Sequence, residues 1–121
     1  SVSLRNHWEV VQALKAVEAI YISPIVLGEL LSGFKMGSRR EKNMAELREF
    51  LASPRVSVPE VNEETAERYA VIQDSLTKAG TPIPTNDIWI AASAMQHGLT
   101  LLTTDKHFNK VAQIAVRSYS P

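Results

Sequence analysis

The sequence predicts an α/β fold, a mainly parallel sheet covered by helices on both faces. Two observations carry that reading. Along 121 residues, helical apolar spacing alternates with short β-prone runs in the order α-β-α-α-β-α-α-β-α-β. Residues 99–103 hold no charge, as strands of a parallel sheet buried on both sides do.

Each element has its own local reason. Leu4, Trp8, Val11, Leu14 and Val17 recur at helical spacing, which predicts an amphipathic helix over 3–17. Residues 19–23 form a short strand. Ser23 followed by Pro24 is a helix start, with a hydroxyl at the N-cap and proline at the first helical position. The helix that follows carries Leu27, Leu30, Leu31 and Phe34 on one stripe, and a further helix covers 39–52. Residues 56–61 read as a strand that Pro59 places at an edge or strand end. Asn62 opens a charged helix to Lys78, in which Glu64 and Arg68 stand at the supportive i,i+4 spacing. After the loop 79–85, a helix covers 86–97 until Gly98 stops it, strand 99–103 follows, residues 106–112 form a short helix, and 114–119 close as a strand.

Composition narrows the function. Apolar residues make up 45% and charged residues 21%, with a formal net charge of zero, so no global positive field announces nucleic acid or an anionic membrane. Any polyanionic substrate must be held by a local cluster or a bound metal. There is no cysteine, which excludes thiol chemistry and a disulfide framework. With no apolar run of membrane-spanning length and no signal peptide, the expectation is a soluble, cytoplasmic protein without a membrane role. GxGxxG, P-loop and G-x-S-x-G motifs do not occur, and His7, His97 and His107 have no zinc-ligand spacing.

The informative stretch is 84–108, which places one aspartate at each end of an almost uncharged unit: Asp87 near the start of a buried helix, Asp105 directly after a strand. In an α/β fold helix 86–97 runs down and strand 99–103 climbs back, which brings both to the carboxyl edge of the sheet, where such folds place ligands. Strand 19–23 ends at that edge too, with Glu29 under two turns into the next helix. Taken singly, Asp87 is a dipole partner of its helix and Asp105 a plain N-cap. Glu29 has no cation at i±3 or i±4, lies off the leucine stripe, and neighbours Gly28, Ser32 and Gly33, which leave room beside it. Like charges gathered at one edge repel unless a cation joins them, and a hard divalent ion such as Mg²⁺ or Mn²⁺ suits oxygen ligands.

Residues 22–34, with Glu29, and 83–108, with Asp87 and Asp105, resemble the PIN-domain family, in particular the VapC-type toxin ribonucleases of toxin–antitoxin pairs. The resemblance covers about a third of the chain, and the order of elements between these stretches also fits. It implies a three-layer parallel α/β/α sandwich and a Mg²⁺ or Mn²⁺ site that hydrolyses RNA. It assigns metal binding to Glu29, Asp87 and Asp105, and to Thr103 a supporting hydroxyl. It also implies a homodimer and an antitoxin whose tail enters the acidic site. One departure stands out: the family opens with an apolar strand ending in a metal-binding aspartate, and this sequence begins Ser-Val-Ser-Leu-Arg-Asn-His. The expectation is a single domain over 1–121 that lacks this strand and its ligand, with a slot between strands 19–23 and 99–103.

Phosphodiester hydrolysis needs an activated water and shielding of the charge that builds on phosphorus, and carboxylate-held metal ions supply both. Asp87 and Glu29 are the leading ligands; Asp105 binds a second ion or orients the water. Lys35, Arg39, Arg40 and Lys42, just after the Glu29 helix, are candidates for RNA contact, although such clusters are commonly solvated surface. Trp8 and Trp89 sit in helical apolar patterns and read as packing residues rather than base-stacking platforms. His97, just before Gly98, reads as a dipole partner, and His107 receives no role. Two other classes compete. A non-catalytic PIN-like protein-binding module is favoured by the absent first aspartate and opposed by three unpaired carboxylates. A receiver domain or haloacid-dehalogenase-like phosphatase needs an aspartate nucleophile at a strand end, for which only Asp105 is available.

Overall fold

The computed structural model describes residues 19–118. The helix expected over 3–17, with Trp8, lies outside them. The described chain runs β1 (Ile20–Tyr21), α1 (Pro24–Met36), α2 (Arg40–Ala52), β2 (Val56–Ser57), α3 (Glu63–Ala79), α4 (Thr85–His97), β3 (Thr100–Thr103), a 3-10 turn (Lys106–Lys110) and β4 (Ala115–Ser118). This is an α/β sandwich with parallel strands.

Local chemistry sets the helix ends. The Ser23 hydroxyl accepts the Ile25 N–H at 3.1 Å, with Pro24 in the first turn where its missing N–H costs nothing. Asn62 and Thr65 form a reciprocal capping box: Thr65 N–H donates to Asn62 Oδ1 at 3.2 Å, and Asn62 N–H to Thr65 Oγ1 at 3.0 Å. Thr65 is fully buried and also bonds Gln96, whose Nε2 donates to Asn62 Oδ1 at 3.1 Å. That network ties the start of α3 to the end of α4. Gly98 closes α4 in the left-handed region (φ 62°), where a side chain costs roughly 1–2 kcal/mol. The chain there reverses into β3, so this one glycine decides that Asp87 and Asp105 share an edge.

The core forms where α3 and α4 meet the 3-10 turn. Ile72, Leu76, Ile88, Ile90, Phe108 and Val111 are buried together. Ala91 and Ala92 of α4 are at 0% exposure. Their short side chains let the helix sit deep, and a helix apolar on nearly every side is a buried one.

Both strand pairs are parallel. β1 pairs with β2 (Ile20 to Val56, Tyr21 to Ser57) and β3 with β4 (Thr100 to Ala115 through Thr103 to Ser118). Among the described residues they remain two separate two-stranded sheets, and β1 and β3 are not bonded to each other. The strands are shorter than the periodicity suggests. Ser23 is committed to capping α1, which confines β1 to two residues, although Ile20 N–H and Ile22 N–H still reach Arg55 and Ser57 carbonyls at 2.7 and 2.9 Å. Pro59, which has no N–H to donate, keeps β2 short.

The short helix expected over 106–112 is present as a five-residue 3-10 helix, Lys106–Lys110, that Asp105 caps and that ends two residues earlier than expected. One expectation needs correction. Strand β3 is not buried on both faces: Thr100 is exposed, Leu101 and Leu102 are half-buried, and only Thr103 is buried. Its described partner strand lies on one edge alone, and a strand is enclosed only when neighbours and crossover helices cover it.

Candidate active site

Asp87 occupies the third residue of α4 and is 5% exposed. Its carboxylate does not cap its own helix, which has Pro84 at the N-cap and no side-chain cap bond. Instead Oδ2 lies 3.3 Å from His107 Nδ1. Asp105 leaves β3 and does cap: its Oδ1 accepts the His107 N–H at 2.9 Å and begins the 3-10 turn. The same oxygen stands 3.1 Å from His107 Nδ1. Capping and site membership are therefore not alternatives for Asp105, since one oxygen serves both. Thr103, 1% exposed, accepts the Asp105 N–H at 2.9 Å and so orients the backbone from which that carboxylate projects.

Glu29 comes from the middle of α1 and lines the same cleft, of about 390 Å³, with Asp87, Asp105, His107 and the α4 entry residues Pro84, Thr85 and Asn86. Its Oε1 is buried and has no hydrogen-bond partner. A buried acceptor left unsatisfied costs of the order of 1–3 kcal/mol, more when charged, so the oxygen is built to be met by something. Gly28 and Gly33 are exposed, and a side chain on either would meet open space.

Asp87, Asp105 and His107 each offer a ligand atom, and these atoms lie within 4.8 Å of one another. Glu29 stands on the cleft wall outside that trio. Mutually close carboxylates, one buried and one partly exposed, with an orphaned acceptor beside them fit a divalent cation: two anionic oxygens gather where like charges otherwise repel.

The basic candidates lie elsewhere. Lys35 lies in the last turn of α1, about 9 Å along the axis from Glu29 at the helical rise, and Arg39, Arg40 and Lys42 follow in the turn and start of α2. All four are exposed and none lines the cleft. Arg40 donates to the Lys35 carbonyl at 3.1 Å, and Lys42 stands 3.9 Å from Glu46. Trp89 packs its ring against Tyr69 of α3, centroids 4.4 Å apart, which makes it a helix–helix contact. His97 in the last turn of α4 stacks on Tyr21, 6.4 Å between centroids.

Sequence reasoning missed His107. Its spacing matches no zinc motif, and the available signal was subtler: it sits two residues past a strand-end aspartate, inside the turn that the aspartate caps. Thr85 and Asn86, for which the sequence carries no signal, also line the cleft because α4 begins there.

A parallel α/β fold whose strand and helix ends gather carboxylates at one edge defines a class of acidic, metal-suited centres. The chain belongs to the PIN-domain family: the family model, "PIN domain", matches residues 3–114. It is 38% identical over 103 residues to Ribonuclease VapC1 of Rickettsia felis, covering 83% of this chain and 76% of that protein. With Ribonuclease VapC4 of Mycobacterium tuberculosis the identity is 30% over 95 residues, covering 78% of this chain and 73% of that protein. The crystal structure of VapBC2 from Rickettsia felis bound to a DNA fragment from their promoter superposes with a TM-score of 0.79. Its identity is 25%, covering 96% of this chain and 86% of that one. The receiver and phosphatase readings of Asp105 fall with this result.

Proposed function

We propose that the protein is a metal-dependent endoribonuclease, the toxin of a toxin–antitoxin pair, with Glu29, Asp87 and Asp105 as metal-binding residues and Thr103 in support. The observation that carries this reading is the meeting of Asp87 and Asp105 in a cleft beside the unpartnered Glu29 oxygen. The ribonuclease names of the relatives and their VapBC assemblies support it.

A bound Mg²⁺ or Mn²⁺ supplies a water of lowered pKa and shields charge on the phosphoryl oxygens. The chain supplies the rest. Asp87 is held in place by the first turn of α4, and Asp105 by its own cap and by Thr103. Both carboxylates are thus oriented before substrate arrives, which is how a site avoids reorganisation during reaction. Labelled single-stranded RNA should be cut in Mg²⁺ or Mn²⁺, spared in EDTA, and cut again when the metal is restored. Cutting that persists in EDTA would refute the metal dependence. Absence of any cutting, with partner binding intact, would favour the non-catalytic binding module.

RNA is a polyanion and the chain has no net charge, so contact falls to a local patch. Lys35, Arg39, Arg40 and Lys42 are the proposed contacts. Arg39→Glu with Arg40→Glu should weaken RNA binding and lower the slope of log K against log salt by about one to two, with metal binding unchanged. An unaltered salt slope would remove the patch from the substrate path.

The proposed setting is cytoplasmic, and no helix among the described residues is long and apolar enough to cross a membrane. The proposed partners are a second copy of the chain and an antitoxin whose basic side chain enters the acidic cleft. Light scattering should give a dimer mass; a strict monomer over a wide concentration range would count against it. The strand order leaves one edge each of β1 and β3 without a described partner. A strand between them, from outside the described residues and bearing a further carboxylate, is part of the same proposal.

A further inference from the structure

We propose that His107 is a ligand of this centre through Nδ1, and that its imidazole shifts the site's preference from Mg²⁺ toward first-row transition ions such as Mn²⁺. The inference rests on the metal-dependent reading above and deepens it. Nδ1 stands 3.1 Å from Asp105 Oδ1 and 3.3 Å from Asp87 Oδ2. Ligand atoms at neighbouring corners of an octahedron with bonds of about 2.1 Å are about 3.0 Å apart. The two spacings are close to that edge and the three ligand atoms all lie within 4.8 Å of one another, so one ion can draw both oxygens and the nitrogen to itself by rotation of the side chains.

The turn holds the ring there independently of any ion. His107 N–H is bonded to Asp105 Oδ1 at 2.9 Å, and the next residue, Phe108, is 1% exposed and anchored in the core. The backbone of His107 is therefore fixed on both sides, while its side chain is 47% exposed. As a ligand the ring is neutral: its N–H sits on Nε2, and the Nδ1 lone pair faces the ion. In that arrangement Nδ1 no longer donates to the two carboxylates; the cation satisfies all three atoms instead. Mg²⁺ strongly prefers oxygen donors, whereas imidazole nitrogen favours the softer divalent transition ions. Carboxylates joined by one imidazole thus discriminate more strongly against Mg²⁺ than carboxylates alone.

The alternative is a simple ion pair, in which His107 bridges Asp87 and Asp105 and never binds metal. Pulsed electron paramagnetic resonance of the Mn²⁺-loaded protein separates the two, because only a directly bound imidazole couples its ¹⁴N nucleus strongly to the ion. The wild type should show that modulation, His97→Gln should retain it, and His107→Gln should lose it. Titration of the same proteins should show the ratio of Mn²⁺ to Mg²⁺ affinity falling about tenfold or more in His107→Gln. Mn²⁺ bound without nitrogen coupling, or coupling that survives in His107→Gln, would overturn the role of His107 and leave the carboxylate centre standing. Wild type that binds Mn²⁺ no better than Asp87→Asn does would overturn both.

Discussion

Asp87→Asn is expected to lower ribonuclease turnover by about a hundredfold or more, about 2.7 kcal/mol of transition-state stabilisation, while shifting folding stability by no more than ~1 kcal/mol. The asymmetry follows from where the side chain is. At 5% exposure and 3.3 Å from His107, the carboxylate contributes charge to the cleft and nothing to the cap of its own helix. Asparagine keeps the shape and can still accept a hydrogen bond from His107, so packing survives. What disappears is the anionic oxygen that a divalent ion needs, and removal of one charge from a crowded pair relieves repulsion with Asp105. Steady-state turnover on labelled RNA at saturating Mg²⁺ or Mn²⁺, with denaturant midpoints for both proteins, checks the result. Wild-type turnover in the variant would end the assignment of Asp87.

The second large effect is on stability. Phe108→Ala should cost about 3–5 kcal/mol, a large share of the ~5–15 kcal/mol that a domain of this kind has to lose. Phe108 is 1% exposed and packs in the cluster with Ile72, Leu76 and Ile88. Truncation leaves a cavity that a single 3-10 turn, with its poor hydrogen-bond geometry, cannot close from its own side. The same turn carries Asp105 at its cap and His107 within it, so at temperatures where the variant is still folded its affinity for Mn²⁺ should fall as well. Phe108→Leu, which restores most of the volume, should recover the larger part of both losses. A midpoint unchanged in Phe108→Ala would show that the ring does not hold the turn to the core.

These two residues also separate what could be read along the chain from what could not. Asp87 and Asp105 were legible because the argument that joins them is topological. A helix ended by Gly98 and followed by a strand must return to the edge it left, whatever the side chains do. Helix starts were legible for a different reason. The bonds from Ile25 to Ser23 and between Asn62 and Thr65 span two or three residues, so the residues that make them are adjacent in the sequence. Glu29 could be singled out by what its neighbours lack, but the unpartnered state of its Oε1 depends on burial by distant elements.

The sequence by itself determined the class of fold, the order of helices and parallel strands, and the carboxylates brought to one edge. Each follows from periodicity, caps and chain reversal, which act over a turn or two. Only the tertiary structure decided that β1 lies beside β2 and β3 beside β4, since strand pairing joins residues 36 apart in the first pair and 15 apart in the second. It alone decided that the helix after Asp105 is a 3-10 helix ending at Lys110, with Phe108 packed into the core. It also turned His107 toward two carboxylates, one of them twenty residues away, a choice no local spacing encodes.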